Sequence, residues 1–197
     1  MADWAKYASE GDQWIICYAL VSGISSTQTA ALYIIGHAVE LYLKAASIKL
    51  SDNEAGAIKY GHCLKRLWKD CRRLDPCFMS TYDIRFSTLA KDIFDPKVIG
   101  SLSADELRNF DSHRSLYAIM RALPDLKYFG LPWKTEKTSG SYYVVTEHRD
   151  RYWIRFFKDM RTYLGYPANQ LADRIRNAVA GSDLPADAVA YLKKYFE

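Results

Sequence analysis

Ser26–Leu50 reads STQTAALYIIGHAVELYLKAASIKL, and its apolar residues Leu32, Ile35, Val39, Tyr42, Leu43 and Ala46 recur at helical spacing. That period is the signature of an α-helix with one buried face. Glu40 precedes Lys44 by four positions, the order that favours an intrahelical ion pair. An amphipathic helix of this length predicts the spine of an all-α bundle.

The flanking segments fit the same architecture. Asp12–Val21, with Trp14, Ile15, Tyr18, Leu20 and Val21, predicts a helix ended by Ser22-Gly23. Downstream, Ser51–Gly61 is polar and glycine-containing and reads as a loop. His62–Leu74 then sets Leu64, Leu67, Trp68 and Cys71 on one stripe and Lys65, Arg66, Lys69, Arg72 and Arg73 on the other faces, which predicts a helix with a basic exterior. Asp75-Pro76 fits a cap followed by a first-turn proline and predicts a helix through Phe78, Tyr82, Phe86, Leu89 and Ile93 to about Phe94.

Ser103–Met120, SADELRNFDSHRSLYAIM, begins with a capping box of Ser103 and Glu106. The helix it predicts is polar in its first half and apolar from Leu116 to Leu123, where Pro124 stops it. Leu131–Thr135 and Tyr142–Thr146 flank a Glu-Lys-Thr-Ser-Gly turn and predict a small β-hairpin inserted at about residues 131–147. Arg149–Leu164 returns to helix with Trp153, Phe157, Met160 and Leu164 as its core stripe, and Gly165-Tyr166-Pro167 ends it. Two short amphipathic helices follow, Ala168–Ala180 and Pro185–Phe196. The expected organisation is a helical bundle over residues 1–164, with residues 165–197 a C-terminal helical extension of the same domain.

Composition limits the function classes. The 197 residues are 49% apolar, enough for a full core. A net charge of +4 is too mild to identify a nucleic-acid binder by itself. Cys17, Cys63, Cys71 and Cys77 form no C-x-x-C pair, which predicts reduced thiols and a cytoplasmic protein. The chain has no apolar run of membrane-spanning length, and no membrane role is expected.

Three stretches carry a resemblance. Gly36–Ala45, GHAVELYLKA, resembles the second helix of HEPN-domain proteins, with its apolar, Glu, apolar, Lys-Ala pattern. Gly61-His62-Cys63-Leu64 is similar to the Gly-His-x-Leu start of the family's next helix. Arg108-Asn109-Phe110-Asp111-Ser112-His113 fits the hallmark of the family, an Arg, a polar residue and a His after four to six intervening positions. The three occur in the family's order and cover about Asp12–Leu126.

The resemblance implies an up-and-down helical bundle that pairs with a second copy to form one cleft. It also implies a metal-independent endoribonuclease, with no cofactor, of the kind found in toxin–antitoxin and phage-defence systems. In that setting His113 is the general acid/base toward a ribose 2′-OH or the leaving 5′-oxygen, Arg108 the donor to the phosphate and Asn109 the orienter. On one ideal helix Arg108 and His113 are about 140° apart, so the spacing favours a composite, homodimeric site. The implied alternative is a non-catalytic protein of the same kind that binds RNA or a partner, such as a nucleotidyltransferase-type antitoxin.

Several residues also have plainer readings. His113 fits a surface or interface histidine bonded to Asn109, and Arg108 fits an exposed ion pair with Asp105, Glu106 or Asp111. Arg149, Arg151, Arg155 and Arg161 alternate with Tyr152, Trp153, Phe156 and Phe157, which suits RNA contact by guanidinium and ring, and suits better the solvated side of an amphipathic helix. His62 reads as a cap or packing residue. His37, three positions from Glu40, is half a metal site without a second ligand pair.

Overall fold

A computed structural model of the chain describes residues 3–22, 28–83, 104, 153–167 and 169–196. Every regular element among them is helical, so the protein is all-α, as its periodicity predicts. The elements are α1 (Trp4–Ser22), α2 (Gln28–Ser51), α3 (Glu54–Lys59), α4 (Leu64–Leu74), a 3₁₀ turn (Ser80–Asp83), α5 (residues 153–163), α6 (Gln170–Ala180) and α7 (Ala186–Phe196). The expected hairpin at 131–147 lies outside the described residues. So does the capped helix after Ser103, except for Ala104, which is helical.

The spine is α2. From Ile35 to Ile48 nearly every residue is buried, because α1 and α4 both pack on it. Opposite it, α1 buries Ala8, Ile15, Tyr18 and Ala19, and α4 buries the expected Leu64, Leu67, Trp68 and Cys71. On α5 and the turn that ends it, all four predicted core residues, Trp153, Phe157, Met160 and Leu164, are enclosed. Edge-to-face rings extend this core: Trp68 on Phe78 at 5.2 Å, Phe78 on Tyr163 at 5.0 Å and Tyr82 on Phe156 at 5.3 Å. Leu171, Ile175 and Leu192 of α6 and α7 belong to the same cluster.

Three local expectations are corrected. Helix α1 begins eight residues before Asp12, at Trp4, where the Asp3 carboxylate accepts from the Lys6 amide at 3.2 Å and serves as a first-turn acceptor. The stretch 51–61 is not all loop, because Asn53 caps α3 by accepting from the Gly56 amide at 2.9 Å. Asp75-Pro76 does not open an α-helix. Asp75 is the C-cap of α4, and its side chain accepts from the Cys77 amide at 2.9 Å, which turns the chain into the 3₁₀ segment. The remainder of the helix expected to reach Phe94 lies outside the described residues.

Two glycines shape the packing. Gly11 lets α1 approach α2 so closely that a Cβ there would meet Tyr42 Cε2 at 2.7 Å. Gly165 ends α5 with φ +90°, a conformation in which an L side chain is strained.

Candidate functional site

The site begins on α2. Helical spacing puts His37, Glu40 and Lys44 along one side, and Lys44 Nζ donates to Glu40 Oε1 at 2.8 Å, the pair the sequence predicts. The Glu40 side chain is 2% exposed, and its burial demands such compensation.

The second contributor comes from the connection between α3 and α4. Gly61 takes φ +56°, and this left-handed residue redirects the chain so that His62 folds back toward α2. His62 Nδ1 lies 3.0 and 2.9 Å from the two oxygens of Glu40, while its ring remains 54% exposed. His37 Nδ1 stands 3.9 Å from Glu40 Oε2, and its ring meets Trp14 of α1 edge-on with centroids 4.7 Å apart. Glu40 is therefore a hub shared by Lys44, His62 and, more distantly, His37.

The structure thus corrects the reading of His62 as a cap or packing residue. A hydrogen bond between Nδ1 and a buried carboxylate sets the orientation of an imidazole. Sequence reasoning missed this pair because 22 positions separate its members and the link depends on a positive φ. The legible signal was the Gly-His dipeptide ahead of an amphipathic helix. Among the described residues no group of three or more His, Cys, Asp or Glu side chains is placed to hold a metal ion.

The hallmark residues Arg108, Asn109 and His113 lie outside the described residues, as do Arg149 and Arg151. Arg155 is exposed, and its Nε donates to both oxygens of Asp159 at 3.1 and 3.0 Å, which is the amphipathic-helix arrangement. On the basic side of α4, Arg66 and Lys69 are exposed, whereas Arg72 donates to the Phe78 carbonyl and Arg73 to Asp70.

A second polar cluster is structural, and it corrects the expectation for Arg161, which is 1% exposed and turned into the core rather than to solvent or RNA. Buried Asp12 accepts from Tyr42, Arg161 and Arg174, and Arg161 also donates to Gln170 and stacks over Tyr166 at 4.5 Å. Burial pushes the Tyr42 hydroxyl well above its ordinary pKa, and the adjacent Asp12 adds to the shift. The cluster joins α1, α2, α5 and α6.

Fold and site together define an all-α protein with a carboxylate–imidazole–ammonium cluster at the junction of α2 and α4. Comparison of the chain with family models, with curated proteins and with solved structures finds no match. No helix among the described residues is long and apolar enough to cross a membrane.

Proposed function

We propose that the chain is a metal-independent endoribonuclease of the HEPN type, cleaving RNA by attack of a ribose 2′-OH to leave a 2′,3′-cyclic phosphate. His113 is its general acid/base, Arg108 its phosphate donor and Asn109 its orienter, in a site shared by two copies of the chain. One observation supports the reading above the others. The first two stretches that resemble the family, far apart in sequence, meet at one carboxylate, where Glu40 takes both Lys44 and His62. A role as a toxin or phage-defence component follows from the resemblance alone.

The test is incubation of the purified protein with transfer RNA in EDTA. Wild type yields fragments ending in cyclic phosphate, and His113→Ala yields none. Cleavage that survives His113→Ala would reject the assignment of that residue, and intact RNA with wild type would reject the activity. The second outcome would favour the partner-binding reading, which an open cavity of about 530 Å³ between α6 and α7 supports. Ile175, Val179, Val189 and Leu192 line it, with Arg176 and Lys193 also in its wall.

A further inference from the structure

We infer that the exposed face of α4 is a contact for the RNA backbone, in which Arg66, Lys69 and Arg73 hold phosphates of one strand. The surface rests on the endoribonuclease reading for the identity of its polyanion and adds to that reading residues it does not contain.

Helix α4 carries five Lys or Arg among its 11 residues and one acid, Asp70. Its Leu64, Leu67, Trp68 and Cys71 are buried, and the described side chains that it leaves exposed are Arg66, Lys69 and Arg73. On an ideal helix these three fall within about 60° of arc and about 10 Å of rise, so they form a single stripe. The charges of Arg73 and Arg66 both reach the Tyr60 hydroxyl, where they oppose the rise in pKa that burial and Asp70 cause.

Asp70 does not neutralise the stripe. It stands four positions after Arg66, the spacing of an intrahelical pair, yet its oxygens accept from Ser47 at 2.8 Å, Tyr60 at 3.1 Å and Arg73 at 2.7 Å. Arg66 and Lys69 make no hydrogen bond or ion pair among the described residues. Arg73 commits one nitrogen to Asp70 while its side chain stays 69% exposed, and the other donors of its fork remain for a further acceptor. Like charges three and four positions apart repel, and a polyanion laid along the stripe relieves that repulsion.

The make-up of the face selects the polyanion. A helix lying in a membrane surface needs apolar side chains to insert, and a protein interface needs an apolar, lysine-poor centre. The exposed described side chains of α4 provide neither. Guanidinium and ammonium groups suit the phosphate backbone, whose contacts position a strand without reading its sequence.

The experiment measures binding of the full chain to fluorescein-labelled, 2′-O-methylated oligonucleotides, one of uridine and one of adenosine, as salt is varied. These probes lack the nucleophilic hydroxyl and are bound without being cut. Arg66→Gln/Lys69→Gln leaves the Arg73–Asp70 pair in place. It weakens binding of both probes about tenfold and reduces the slope of log affinity against log salt by about 1.4, the share of two single-strand phosphate contacts. The charge-keeping exchange Arg66→Lys/Lys69→Arg retains the wild-type slope, and so does Lys6→Gln, which removes an exposed charge from α1. Unaltered affinity and slope in Arg66→Gln/Lys69→Gln, or no binding by wild type, would overturn the surface. So would an equal loss per charge in Lys6→Gln, or binding of wild type to phosphatidylserine vesicles and to neither oligonucleotide. Binding that depends on Arg66 and Lys69 in a protein that leaves transfer RNA intact would keep the surface and reject the nuclease.

Discussion

Asp12 of α1 receives the Arg161 guanidinium on both carboxylate oxygens, although 149 residues separate the two, and each is buried at 2% exposure or less. The ion pair fastens the first described helix to α5, and Arg174 brings α6 to the same carboxylate. Arg161 Nε, also buried, makes no hydrogen bond among the described residues, so Asp12 carries most of the compensation for that charge. Removing the acid leaves a buried cation without its counter-charge. Asp12→Ala is expected to lower unfolding free energy by about 3–5 kcal/mol, read as a fall in the urea midpoint. A midpoint equal to wild type would contradict this role.

The close approach of α1 and α2 makes a second prediction. A Cβ on Gly11 would lie 2.7 and 2.8 Å from two atoms of the Tyr42 ring, which the Asp12 hydrogen bond holds in place. Gly11→Ala therefore forces the helices apart instead of gaining from better helix propensity. The expected loss is about 1–3 kcal/mol, measured by thermal or chemical unfolding. A stabilised variant would show that the ring moves aside.

Acid sensitivity follows from Asp70. Burial by itself would raise this carboxyl, but hydrogen bonds from Arg73, Ser47 and Tyr60 outweigh it and hold the pKa below the ordinary value. The Tyr163 hydroxyl and the Cys77 amide lower Asp75 in the same sense. A carboxyl whose folded pKa lies below its unfolded value of about 3.9 contributes fully above that pH. The contribution is lost as pH falls through the folded pKa. Urea midpoints should thus decline below about pH 4, and Asp70→Asn should flatten that decline while lowering the plateau at neutral pH. Equal acid slopes in variant and wild type would remove Asp70 from the account.

Thiol chemistry gives a check on the core. Cys71 is fully enclosed, with Sγ directed at the Leu43 carbonyl at 3.5 Å, and burial, aided by Asp70, pushes its thiol up. Cys17 and Cys77 are exposed. A disulfide-exchange reagent added to native protein should modify Cys17 and Cys77 quickly and Cys71 only with unfolding, as resolved by peptide mass mapping. Rapid native labelling of Cys71 would mean that α4 does not pack on α2 as described.

The sequence by itself determined the helical class, the paths of α2, α4, α5, α6 and α7, and the Glu40–Lys44 pair. Each depends on periodicity within a few turns, and local sterics and burial of one stripe suffice to set it. Helix ends that hinge on a single side chain were less legible: Asn53 and Asp75 both act by accepting a backbone amide, and one starts a helix where the other ends one. Only the tertiary structure decided that His62 turns onto Glu40, that Asp12 is matched to Arg161, and that Trp14 is left in solvent beside His37. Those relations join positions distant in the chain. They arise from a left-handed glycine and from the burial of charge, and neither has a period along the sequence.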